Sequence, residues 1–159
     1  MRDEDCEWLG HHDGVALPDG GGGIRTAVYM MFRHPDWAAA KAKYDPAAAK
    51  VKYGPIASWD TSGITDMDSL FFGKDEFNED ISRWNVSNVV NMDCTFAEAT
   101  SFNGDLLSWD VSNVVTMRSM FHGATSYNGD LSSWNVSNVG YMNCMFMGAT
   151  SINCQLGGT

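Results

Sequence analysis

The sequence predicts an α/β solenoid. About four 25-residue coils would stack, each a short parallel strand plus a helical turn, behind an N-terminal helical cap. Three observations lead there. Residues 56–155 divide without a gap into four copies, 56–80, 81–105, 106–130 and 131–155, with a partial fifth at 156–159. Inside one copy the apolar spacing shifts from near-alternation to steps of three and four. Ahead of the first copy, the apolar residues fall on helical faces.

The copies are defined by columns of matching residues. Trp59, Trp84, Trp109 and Trp134 are equivalent, as are Met67, Met92, Met117 and Met142. Phe71, Phe96, Phe121 and Phe146 form a third column; Phe77, Phe102, Tyr127 and Ile152 form a fourth. A lone copy cannot close a core, because its apolar side chains need a neighbour above and below. A fully buried Trp contributes roughly 4–6 kcal/mol gross, before ordering entropy, at about 25 cal/mol per Å². The Trp, Met and Phe columns are therefore expected to be structural core and not a ligand cage.

Within the third copy, Leu106-x-x-Trp109-x-Val111 suits a short strand with one inward face. It follows the Leu-x-x-Leu-x-Leu signature of leucine-rich repeats, with Trp for the middle Leu. The later run, Met117-x-x-Met120-Phe121-x-x-Ala124, steps as a helical turn does, and Asn128-Gly129-Asp130 supplies a corner. The fold class is thus expected to be leucine-rich-repeat-like.

Polar columns are expected at the corners. Asn88, Asn113 and Asn138 align, with Gly63 in the first copy, and Asn78, Asn103, Asn128 and Asn153 form a second line. Such ladders satisfy backbone groups that lack a ladder partner. Asp80, Asp105 and Asp130 form a third line, broken by Gln155. Stacked carboxylates repel unless backbone amides or a cation compensate. Those three are weak metal candidates, for calcium. The chain lacks the Asp-x-Asp-x-Asp loop and the Gly-Gly-x-Gly-x-Asp nonapeptide, so no metal and no cofactor is expected.

Residues 1–23 read as an extended acidic arm ending in the Gly20–Gly23 linker. Residues 24–55 read as the helical cap, with Ile24, Ala27, Val28, Met31 and Phe32 on one face, then Pro35 opening a second helix. At the other end, a fifth coil starts at Leu156 without a polar capping element, so that end is expected to be open to a docking partner.

Composition narrows the function classes. The net charge is −10, and the four copies carry twelve acids against three bases, which disfavours phosphate backbones and nucleic acid. No run approaches the roughly 18–20 apolar residues of a transmembrane helix. The opening Met-Arg-Asp-Glu-Asp is unlike a signal peptide. Gly20–Gly23 lacks the Lys-Ser/Thr of a phosphate loop, and Cys6, His11 and His12 have no zinc spacing. Cys94 and Cys144 are two copies apart, beyond disulfide reach; Cys144 with Cys154 is a conceivable pair, and free thiols are the default. No nucleophile–base constellation is suggested, so no catalytic residue is assigned. Two glycosylation sequons, Asn85-Val86-Ser87 and Asn135-Val136-Ser137, matter only in a secreted chain.

The strings WDTSGITDM, WNVSNVVNM, WDVSNVVTM and WNVSNVGYM, linked by FNEDIS, FNGDLLS and YNGDLSS, resemble the DUF285 repeat, also grouped with BspA-like leucine-rich-repeat surface proteins. This chain departs from the pattern at Thr61, Gly63 and Thr95, and at Cys94 and Cys144. The resemblance covers about two-thirds of the chain. It implies a leucine-rich-repeat-like fold and binding or adhesive roles, and it brings no catalytic residues. Its spread through mycoplasma lipoproteins, bacterial surface proteins and microalgae favours a secreted or cell-surface location, or an organelle if a leader was removed. The expected function is therefore a non-enzymatic protein-interaction or scaffold module, its partner another protein on a solenoid face or the open C-terminal end. A surface adhesion or carbohydrate-binding module is the second possibility. An accessory subunit of a large, algal organellar membrane assembly is the third.

Overall fold

The structure is a computed structural model that describes residues 54–157. It overturns the expected fold class. Among the described residues there is no α-helix, no strand and no sheet; the only regular element is a single 3-10 turn, Ile56–Ser58. Extended pairing is confined to isolated parallel bridges, Asp66 with Asn91, Asn91 with Thr116, Thr116 with Tyr141, and Leu131 with Leu156. This is not the α/β, leucine-rich-repeat-like solenoid that the spacing suggested. No helical cap is seen among the described residues. The 24–53 segment that was to supply it lies outside them, as does the 1–23 arm.

Each copy is instead a chain of tight turns. In the third copy the N–H groups of Trp109, Val114, Met120, His122, Ala124 and Tyr127 donate to carbonyls three residues earlier, from Leu106 to Ala124. The other copies repeat these turns at the equivalent places. Here lies the physical reason for the correction. A turn closed between i and i+3 brings two apolar side chains to the same side, so a run of turns imitates the three-residue step of a helix. The expected strand fails likewise, because the Trp109 amide is spent on Leu106 within its own copy.

Positive-φ residues stop the turns from growing into a helix. Ser69, Cys94, Ser119 and Cys144, all in one column, have φ between 51° and 57°. Four residues later Gly73, Glu98, Gly123 and Gly148 have φ between 59° and 76°. Left-handed backbone costs an L-residue roughly 1–2 kcal/mol, so its return in every copy requires compensation.

Compensation comes from the neighbouring copy. The amides of Met67, Ser69, Phe71 and Gly73 donate to the carbonyls of Asn91, Asp93, Thr95 and Ala97. Met92, Cys94, Phe96 and Glu98 repeat this onto Thr116, Arg118, Met120 and His122, and Met117, Ser119, Phe121 and Gly123 onto Tyr141, Asn143, Met145 and Met147. These bonds span 2.7–3.0 Å. A return rung runs the other way, from Val90 to Thr65, Val115 to Val90 and Gly140 to Val115. Alternate amides thus bridge copies while those between them close turns within a copy.

Aromatic rings fill the stack. Phe71, Phe96 and Phe121 follow one another at 5.4 Å between centroids, and Phe121 to Phe146 is 5.6 Å. The Phe77, Phe102, Tyr127 column runs beside it at 5.3 and 5.7 Å. Within a copy the two columns touch at 4.0–4.2 Å. Each indole Nε1–H then pins its copy to the last one. Trp84 donates to the carbonyl of Ile56, Trp109 to Ile81 and Trp134 to Leu106, at 2.9–3.1 Å. The three are buried, Trp59 only partly. Met67, Met92 and Met117 are fully buried with Phe71, Phe96 and Phe121, but Met142 is 37% exposed and Phe146 half-buried.

Candidate functional surface

Most exposed polar columns are committed to holding the stack together. Asp60, Asn85, Asp110 and Asn135 each accept through Oδ1 the amide of the serine two residues on. Asn88, Asn113 and Asn138 donate through Nδ2 to the carbonyls of Ser62, Ser87 and Ser112 in the preceding copy, at 2.7–2.8 Å. Asn78, Asn103 and Asn128 accept through Oδ1 the amides of Asn103, Asn128 and Asn153. The Asn88 and Asn78 columns recur because backbone groups of a neighbouring copy need them, and the Asp60 column recurs as an acceptor within its own copy.

The aspartate line is committed too. Asp80, Asp105 and Asp130 accept the amides of Ser82, Leu107 and Ser132. Hydrogen bonds from Ser82 and Ser132 hold the Asp80 and Asp130 carboxyls below the usual carboxylate range, and Ser62 and Ser112 do the same for Asp60 and Asp110. Among the described residues no group of three or more His, Cys, Asp or Glu side chains is placed to hold a metal ion.

Departures from the repeat are accommodated by specific bonds. Thr61 replaces the Val86, Val111 and Val136 of later copies, and its buried hydroxyl accepts the Asn85 amide and donates to the Asn85 carbonyl. Thr95 donates to the carbonyls of Met67 and Met92. Cys94 and Cys154 are free thiols, the expected default, so Cys144 does not pair with Cys154. Burial raises the Cys94 thiol to about 12, with the carboxylates of Asp68 and Asp93 adding to the effect. At Lys74, where the other copies have Ala99, Ala124 and Ala149, burial lowers the ammonium pKa and Asp75 opposes it.

Other columns vary from copy to copy, and they flank the inter-copy ladder. Thr65, Val90, Val115 and Gly140 form one; Asp66, Asn91, Thr116 and Tyr141 the next; Asp68, Asp93, Arg118 and Asn143 a third; Phe72, Ala97, His122 and Met147 a fourth. Val90, Val115, Tyr141 and Met147 are exposed by 41–53%; outside these columns Leu107 and Met142 are exposed by 40% and 37%. The Arg118 guanidinium carbon lies 4.3 Å from the centre of the Tyr141 ring. The Asp93 carboxylate accepts the Thr116 hydroxyl and, at 2.7 Å, the Arg118 amide. His122 Nε2 lies 3.5 Å from Glu98 Oε1. Of these residues the sequence marks only His122, a single histidine on a variable corner; the signal for the others is the variation of their columns beside uniform ones.

This arrangement defines a tandem-repeat protein built of turns, with uniform columns for cohesion and one varied band beside the ladder. The family described as Mycoplasma protein of unknown function, DUF285, matches residues 41–158, and the chain belongs to it. No curated protein and no solved structure matches the chain. Among the described residues no helix is long and apolar enough to cross a membrane.

Proposed function

We propose that the chain is a non-enzymatic protein-interaction module whose partner contacts the varied band around Val90, Val115, Arg118 and Tyr141. One observation carries this reading. The polar columns are occupied by bonds within the stack, whereas the varied band holds the four most exposed large apolar side chains among the described residues, Val90, Val115, Tyr141 and Met147, and an Arg–Tyr pair. Aromatic residues and Arg are the side chains that most often dominate protein interfaces. A carbohydrate platform has less support, since Trp84, Trp109, Trp134 and the Phe71, Phe96 and Phe121 rings are buried.

The test begins with crosslinking in the protein's own cells to identify a partner, followed by binding of that partner to purified variants. Loss of an anchor such as Tyr141→Ala or Val115→Ser is expected to weaken binding about tenfold or more. Thr125→Ala, which removes a hydroxyl bond to Thr100 outside the band, serves as the control. A partner bound equally by all three variants would refute the assignment. A glycan array bound by the wild type and abolished by Tyr141→Ala would favour the adhesive function instead.

A further inference from the structure

We infer that Asn85 and Asn135 are N-glycosylation sites, and that the fold leaves their side-chain nitrogens free for the modification. Both stand in Asn-Val-Ser sequons and both are exposed. In each, Oδ1 is occupied: it accepts the Ser87 amide at 3.1 Å and the Ser87 hydroxyl at 2.7 Å, or the Ser137 amide at 3.2 Å. Neither Nδ2 makes a hydrogen bond among the described residues.

The equivalent positions show that the nitrogen has no structural role. Asp60 and Asp110 make the same turn with a carboxylate oxygen, onto Ser62 at 3.0 Å and Ser112 at 3.1 Å. This column therefore requires an acceptor and nothing more. The contrast is with Asn88, Asn113 and Asn138, whose Nδ2 groups tie copies together and which stand in no sequon. The sequon asparagines also alternate with the aspartates along the stack. They are separated by about twice the 5.4 Å ring-to-ring rise.

The chemistry balances with one co-reactant, a lipid-pyrophosphate-linked oligosaccharide presented by a transferase. The Nδ2 nitrogen bonds to the anomeric carbon as the bond from that carbon to the phosphate oxygen breaks. The electron pair leaves with the pyrophosphate, and the amide proton passes to a base. The product amide still offers Oδ1 as the acceptor of the turn bonds from Ser87 and Ser137, because the transfer consumes only an N–H of Nδ2.

The test uses the protein isolated from its own cells, with glycosidase treatment followed by peptide mass mapping. Glycan mass is expected on the peptides carrying Asn85 and Asn135. One glycan is lost in N85D or N135D and both in the double variant. Because Asp already fills this column at Asp60 and Asp110, the variants fold, and their thermal midpoints are expected to match that of the enzymatically deglycosylated wild type. Unmodified Asn85 and Asn135 peptides in the native protein would overturn the inference. So would glycan that persists in N85D/N135D, or a lowered midpoint in those variants.

Discussion

Replacing Trp109 by Phe isolates the bond that pins one copy to the next. Trp109 is 3% exposed, and its Nε1–H donates to the Ile81 carbonyl at 3.1 Å. That carbonyl also accepts the Trp84 amide at 3.1 Å, so it keeps one partner after the substitution. The cost should therefore fall near that of a lost net hydrogen bond, about 1 kcal/mol, and not that of an orphaned buried carbonyl. Loss of part of the ring volume adds to this, for a total of about 1–3 kcal/mol. Trp109→Ala removes the packing as well and should cost at least about 3–5 kcal/mol. Urea unfolding followed by circular dichroism reads both, with the slope unchanged if the transition stays two-state. A neutral Trp109→Phe would refute the pinning role. Equal loss in the two variants would show that the ring's exact shape, and not the N–H, matters.

Asn113→Ala and Asn113→Asp both remove the donor to Ser87 and should cost about 0.5–1.5 kcal/mol, whereas Asp110→Asn, which keeps a neutral acceptor for Ser112, should lower the urea midpoint less than either. Gly157→Ala would drive its Cβ into the Trp134 carbonyl oxygen, a backbone atom that shifts only at a cost, and local opening near Trp134 should appear as faster amide exchange there. The Cys94 thiol should resist alkylation at pH 8 in the folded protein and react on unfolding. Its raised pKa gives stability that is full below the ordinary thiol value near 9 and is lost as pH rises to about 12; buried Tyr127, also raised, steepens this alkaline loss. At the other extreme, Asp60, Asp80, Asp110 and Asp130 are lowered. Their contribution is present above the ordinary carboxylate value of 3.8 and fades as pH falls below it, so acid titration of the thermal midpoint should show a fall there.

The copy boundaries, the columns and the family could be read from the residues, because side chains that meet their own equivalents must be of one type. Path was harder. Met117, Met120, Phe121 and Ala124 have helical spacing, but the backbone leaves the helical region at Ser119, with φ of 51°, and nothing in a serine announces that. Glycine at 73, 123 and 148 was the visible trace, and Glu98 in the same column hid it. Leu106-x-x-Trp109 looked like a strand because Leu and Trp both face inward. A turn gives that result as well, and only the hydrogen bond from Trp109 to Leu106 separates them. The polar columns were visible as lines of Asn and Asp; the division between donors at Asn113 and acceptors at Asn103 was not, since one amide offers both groups. The varied band around Tyr141 leaves no repeating mark, because side chains that face solvent need not match their equivalents in the next copy.

Alternate amides bridge copies while those between them close turns. Scalar couplings transmitted through hydrogen bonds, measured by NMR on isotope-labelled protein, test this directly. Couplings are expected from the amide nitrogens of Met117, Ser119, Phe121 and Gly123 to the carbonyl carbons of Tyr141, Asn143, Met145 and Met147. Couplings from those nitrogens to carbonyls four residues earlier in the same copy would restore the helical turn and contradict the account.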